Sequence, residues 1–525
     1  MEHIELVVFG LLVATAALAV LAGLLRVPYP ITLVLGGTVI GFIPGVPSVE
    51  LDPDLVLLIF LPPLLYGAAF FTSVRELRQN ARSIATLAIP LVFVTMAVGA
   101  VVAHEVIGLG WEESFVLGAI VSPTDAVAPA EIMRRVGAPR RLVAIVEGEN
   151  LTNDWTALIL YRVAVAAVVS GSFTFWKAGL EFIGSGVGGL IVGLAAGMLI
   201  RQVRARIDDP PIEITISILS GYVGYLPAEE LGLSGVIAAV TTGLYMAWHT
   251  PQLTTPVMRL QGVAVWEILT FLLNAVLFLL VGLQLPGILD QLSGRSAADL
   301  VLWGALVSVV VIGVRLAWTF TLPYLTRLID RRESQRARRI PADQRLVVGW
   351  AGMRGSVSLA AALAIPLHTH AGAPFPERDL IIFLAFAVLL VTLIGQGLTL
   401  GPLINRLGIE DDGQESHEDT LARRRAAEAA LARLDELGEP DWISPESVGR
   451  ARQLFDYRER RFGALEDGAD ENFEGRADAW RRLMHELYRA QRNALLELRN
   501  SGEISEDIRR NVERDIDLEE TRIEN

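Results

Sequence analysis

Two neighbouring stretches of this chain put ionisable groups where an apolar helix should not carry them. The first runs Ala119-Ile-Val-Ser-Pro-Thr-Asp-Ala-Val-Ala-Pro129. Pro123 removes a backbone donor and crowds the preceding turn, so a helix here should break or unwind. Backbone left unpaired inside a membrane is tolerated only where it lines a cavity or is buried in protein. Thr124 and Asp125 stand beside that break; the alternative is a simple kink with Asp125 capping a half-helix. The second stretch reads Glu147-Gly-Glu-Asn-Leu-Thr-Asn-Asp154. Glu149 and Asn153 are four apart, as are Asn150 and Asp154, so their polar groups stack along adjoining helix faces. Desolvation favours the protonated form of a buried carboxylate, and ionised carboxylate oxygens are hard ligands for a cation such as Na⁺. One such group can hold a proton or a cation, and repulsion disfavours holding both. That is the chemistry of an exchanger, with Asp154 as the shared group.

A third segment, Gly349-Trp-Ala-Gly-Met-Arg-Gly-Ser-Val-Ser358, sets Arg354 between Gly352 and Gly355. The glycines permit close backbone approach or local unwinding. An arginine deep in a span needs a carboxylate partner, unless it lies at a span end and snorkels to water. Arg162, two turns beyond Asp154, is expected to pair with another acid. Glu131, Glu181, Glu213, Glu267 and Arg315 fall nearer the ends of apolar runs and read as interfacial.

The elements that position these groups are apolar runs repeating from Ile4 to about Leu407. The chain is 52% hydrophobic and 20% charged, with mean hydropathy +0.44. Each run approaches the roughly 20 residues that cross about 30 Å of hydrocarbon. The expectation is an all-α polytopic membrane protein of about thirteen spans, starting near 4, 30, 53, 83, 113, 142, 178, 211, 232, 263, 298, 345 and 379. The first run is too long for a signal-peptide core. An inverted repeat of spans 1–6 and 8–13 pairs span 5 with span 12, the two that carry breaks. Loops alternate in charge. Arginines gather at Arg26, Arg75 to Arg82, Arg134 to Arg141, Arg201 to Arg206, Arg259 and Arg327 to Arg339. The opposite set holds Glu50, Asp52, Asp54, Glu105, Glu112, Glu113, Glu229 and Glu230, with Lys177, Arg295 and Arg378 as its bases. Positive loops stay inside, which puts the amino terminus outside and the carboxyl terminus in the cytoplasm.

The domains expected are a transmembrane part, 1–407, and a helical cytoplasmic part, 408–525. The net charge of −14 belongs mainly to the latter, which has 31 acidic and 19 arginine residues. Regulation of transport and assembly of a dimer are both open roles for this tail. Without cysteine there is no disulfide framework or thiolate metal site. The seven histidines do not cluster. No nucleophile elbow, His-Glu-x-x-His pair or phosphate loop suggests an enzyme, and no cofactor or nucleic-acid partner is expected. A channel or uniporter remains the main competing class, and a solute symporter has no feature in its favour.

Ser122-Pro-Thr-Asp125, Glu147 to Asp154 and Gly352-Met-Arg-Gly-Ser-Val-Ser358 together resemble the signature segments of the monovalent cation:proton antiporter-1 family, in its bacterial NhaP/YjcE-like branch. The tail from Gly502 to Arg522 resembles the same branch. The resemblance implies a sodium/proton antiporter of the inner membrane serving pH homeostasis, with thirteen spans, two inverted six-helix repeats and crossed unwound helices in spans 5 and 12. It implies a homodimer working by an elevator-like movement of the ion-binding core. It also implies that Asp154 binds ion and proton, assisted by Asp125, Thr124 and Asn153. The Asn153-Asp154 pair is that of electroneutral exchange, and Glu149 with Arg354 is the expected buried ion pair. The sequence departs from the family pattern at three positions: Asn150 replaces a serine, Trp155 a small residue, and Gly67 an acid found in many relatives. These bear on the choice among Na⁺, K⁺ and Li⁺.

Overall fold

A computed structural model describes residues 4–25, 27–44, 53–171, 175–329, 340–411, 413–438, 442–466 and 471–524. Arg26, Glu50, Asp52, Arg331 to Arg339 and Pro440 lie outside the described residues, as do the side chains of Asp54, Lys177, Glu181 and Arg327. The chain divides into two compact units, Met1–Asp411 and Asp412–Asn525.

The first unit is helical throughout its described length, apart from turns and one isolated bridge between His368 and Pro374. It opens with α1 (Ile4–Leu25), α2 (Tyr29–Gly41), α3 (Pro53–Phe71), α4 (Val74–Ala88) and α5 (Pro90–Val102). There follow α6 (Trp111–Val121), α7 (Val127–Arg135), α8 (Arg140–Ser170), α9 (Phe175–Arg204), α10 (Pro210–Glu230) and α11 (Gly235–His249). The unit closes with α12 (Pro256–Gln291), α13 (Ala297–Ile329), α14 (Ala342–Trp350), α15 (Ser356–Leu363), α16 (Arg378–Leu390) and α17 (Gly397–Arg406). Among the described residues, Val74–Ile107, Phe182–Arg204, Pro256–Gln291, Ala297–Tyr324 and Arg378–Arg406 are long and apolar enough to cross a membrane.

Two boundaries differ from the hydropathy reading for local reasons. The run expected from residue 83 begins inside α4, whose amino-terminal half carries Arg75, Arg78 and Arg82 and so lacks the hydropathy of a span although it is helical. Ser73 caps α4 by accepting the Glu76 N–H at 3.3 Å. The run expected from 263 begins at Pro256, where Thr255 accepts the Met258 N–H at 3.3 Å and proline occupies the first turn. Both are ordinary helix starts, in which a hydroxyl satisfies an orphan donor.

The second unit pairs α18 (Gln414–Leu437) with α19 (Pro445–Glu466), and α20 (Glu471–Ser501) with α21 (Glu506–Glu524). Polar contacts stitch the latter pair: Arg492 and His485 both reach Glu520, and Arg492 also reaches Asp517 at 2.5 Å. The hydrogen bonds from Arg492 and His485 hold the Glu520 carboxyl below its ordinary range.

Candidate ion site

The helix broken at Pro123 ends as α6 and restarts as α7; the one broken at Gly352 ends as α14 and restarts as α15. The interruptions meet, the Asp125 N–H donating to Met353 O at 2.8 Å. Asp125 also begins α7 by accepting the Val127 N–H on Oδ1 at 2.8 Å. Backbone carbonyls freed by the breaks would each cost several kcal/mol if left unpaired in a membrane. Two buried arginines satisfy them. Arg354 Nε donates to Val121 O at 2.9 Å, and its other nitrogens reach Ser122 O and Gly352 O. Arg315 donates to Gly349 O at 3.1 Å and Val348 O at 3.0 Å.

Here the structure corrects the expected ion pair. Glu149 is paired with Arg315, which grips both of its oxygens, one at 2.8 Å. Arg354 has no carboxylate within ion-pair distance among the described residues and works as a clamp on backbone carbonyls. The reason is geometric: the Arg354 guanidinium lies against the end of α6, where carbonyls have lost their helical donors. Arg315 enters from α13 at the level of Glu149. It is not interfacial but 1% exposed. Glu213 lies in the first turn of α10, at a helix end as expected, and is buried there against Arg204 of the last turn of α9, whose Nε donates to it at 2.7 Å. Arg162 pairs with an acid as expected, Glu229, at 2.7 Å.

Thr124 donates its hydroxyl to Glu149 Oε1 at 3.2 Å and accepts from Asn153 Nδ2 at 2.8 Å. One lone pair of that oxygen stays open. Asn153 Oδ1 is buried without a described partner. A cavity of about 430 Å³ is lined by Thr124, Asp125, Asn150 and Asp154. Gly355 also lines it. Asp154 is 4% exposed, and no described residue hydrogen-bonds to it. Arg134 and Glu147, an exposed ion pair, stand at the cavity's mouth.

Sequence reasoning missed Thr270, Asn274 and Ser358, which line the same cavity from α12 and α15. An amide inside the apolar run Phe271-Leu-Leu-Asn-Ala275 was the available signal for Asn274. Of the three departures, Asn150 and Gly67 line the cavity. A Cβ on Gly67 would come within 3.0 Å of the Trp266 ring, so an acid there requires that ring to move. Trp155 is absent from the cavity lining and lies 6.3 Å from the Phe182 ring.

Gly352 and Gly355 are required by close approach. A Cβ on Gly352 would strike the Arg315 side chain, and one on Gly355 would strike Asp125 Oδ2. Gly355 has φ −141° and ψ −156°, extended backbone open to any residue, so only space demands glycine. Gly355→Ala should displace Asp125 and lower the exchange rate roughly tenfold or more while the protein still folds. Initial rates in proteoliposomes check this, and an unchanged rate removes Asp125 from the site.

Interrupted helices meeting at buried carboxylates define a secondary transporter. Residues 10–406 match the transmembrane sodium/hydrogen exchanger family, and the chain belongs to that family. It is a transporter rather than an enzyme. It is 38% identical over 529 residues to an uncharacterized Na⁺/H⁺ exchanger of Mycobacterium tuberculosis, covering 98% of this chain and 96% of that protein. To the uncharacterized Na⁺/H⁺ exchanger YjcE of Escherichia coli it is 30% identical over 535 residues, covering 97% of each. A sodium, potassium, lithium and rubidium/H⁺ antiporter of Bacillus subtilis is 32% identical, over 78% of this chain and 62% of that protein. In fold, the chain is similar to the sodium proton antiporter MjNhaP1 of Methanocaldococcus jannaschii. The TM-score is 0.61 at 20% identity, covering 78% of this chain and 99% of that one.

Proposed function

We propose that this chain exchanges one Na⁺ for one H⁺ across a bacterial inner membrane, both ions competing for Asp154 with Asp125, Thr124, Asn153 and Asn150 around it. One observation carries the choice of Asp154. Glu149 is saturated by Arg315 and Thr124, and Asp125 is bound to the backbone of α7, whereas Asp154 faces the cavity with no described hydrogen-bond partner. A carboxylate already neutralised by an arginine has little left to offer a transported cation. One left unpaired has most.

Charge balance supports one-for-one, electroneutral exchange. With all three acids ionised, Arg315 and Arg354 offset two of Asp125, Glu149 and Asp154, and a single monovalent ion on Asp154 offsets the third. H⁺ and Na⁺ therefore leave the loaded site with the same formal charge. We read the two interrupted helices as crossed, within thirteen spans and two inverted repeats. The arginine-rich loops favour a cytoplasmic cavity mouth and acidic tail, with the amino terminus outside. A homodimer moving its ion-binding core past a fixed scaffold is the arrangement we favour.

The reaction is tested by imposing a pH gradient on everted vesicles and adding Na⁺, K⁺ or Li⁺ in turn. Na⁺ should collapse the gradient most strongly, and the rate should not change when membrane voltage is clamped at different values. A stronger response to K⁺ or Li⁺ would transfer the selectivity to that ion. Voltage-driven cation flux without proton movement would support a channel instead.

A further inference from the structure

A second concavity, of about 200 Å³, lies between α4, α8, α13 and α14, away from the ion cavity. Arg82, Arg141 and Arg345 line it, and none of its described lining residues is acidic. Arg345 Nε is buried and has no hydrogen-bond partner among the described residues. The Arg345 guanidinium stands 5.6 Å from the centroid of the Phe320 ring, which fixes it without neutralising it. Asn80, Ser83 and Thr86 add further hydrogen-bonding groups on the α4 side. Leu322, Pro323 and Tyr324 form an apolar edge, with Tyr324 66% exposed. In sequence, the stretch 327–339 that follows this edge holds six arginines against two acids.

Guanidinium groups match phosphate oxygens with paired, directional donors. A basic pocket between membrane helices with an apolar edge suits an anionic headgroup whose acyl chains lie in the adjoining bilayer. We propose that this groove binds the phosphate of an anionic phospholipid. Its floor connects it to the exchange machinery. Val348 lines the groove and gives its carbonyl to Arg315, while Thr319, also in the lining, donates to Arg315 O at 2.9 Å. A bound lipid thus braces α4 and α14 directly behind the arginine that holds Glu149.

Native mass spectrometry of the full-length protein, extracted from phosphatidylethanolamine vesicles with and without phosphatidylglycerol, tests this. Wild type should retain phosphatidylglycerol, with affinity falling roughly fivefold per arginine removed in Arg82→Gln, Arg141→Gln and Arg345→Gln. Equal retention by the triple variant would overturn the proposal. If the triple variant does not fold, Arg345→Gln alone decides, since it removes the buried donor and should still weaken retention. Displacement of the lipid by inorganic phosphate at comparable concentration would overturn the lipid assignment, because the groove would then read only the free anion.

Discussion

Arg315→Met should destabilise the protein by about 3–5 kcal/mol, seen as a large drop in the thermal unfolding midpoint in mild detergent. The substitution strands Glu149, 1% exposed, as a buried charge held only by the Thr124 hydroxyl. It also frees the Val348 and Gly349 carbonyls at the end of α14, which Arg315 now satisfies. Loss of one partner from a buried pair costs far more than loss of both, because the survivor keeps its desolvation penalty. Arg315→Met combined with Glu149→Gln should therefore recover part of the loss. A double-mutant cycle separates the two arginines. Coupling of Glu149 to Arg315 should exceed coupling of Glu149 to Arg354, whose partners are carbonyls. The reverse order would restore the pairing that the sequence suggested.

That reversal shows where sequence reading runs out. Asp125, Glu149, Asp154 and Arg354 were legible because each is an expensive group in an apolar run, and cost can be read one residue at a time. Pairing cannot. Arg354 was matched to Glu149 while Arg315 was left at a span end, and the true partner depends on how α13 and α14 are set against α8. Arg315 was placed at the interface because hydropathy gives an approximate depth and no azimuth. For the same reason Trp155 was read as bearing on the choice of ion, although its ring lies beside Phe182 on α9, outside the cavity lining. The breaks at Pro123 and between Gly352 and Gly355 were visible from backbone chemistry alone. What fills them was not. The orphaned carbonyls are met by arginine side chains from distant positions, and only the assembled helices show that.

The unpaired state of Asp154 makes the claim of competition directly measurable. Na⁺ added to the purified protein in weakly buffered detergent, at a pH where Asp154 is largely protonated, should release about one proton for each cation bound. A pH indicator reports the release. Asp154→Asn should abolish the proton release and Na⁺ binding together, while Asn150→Ala should shift affinity and keep the ratio. Undiminished proton release from Asp154→Asn would contradict the account, because the exchanged proton would then reside on another group.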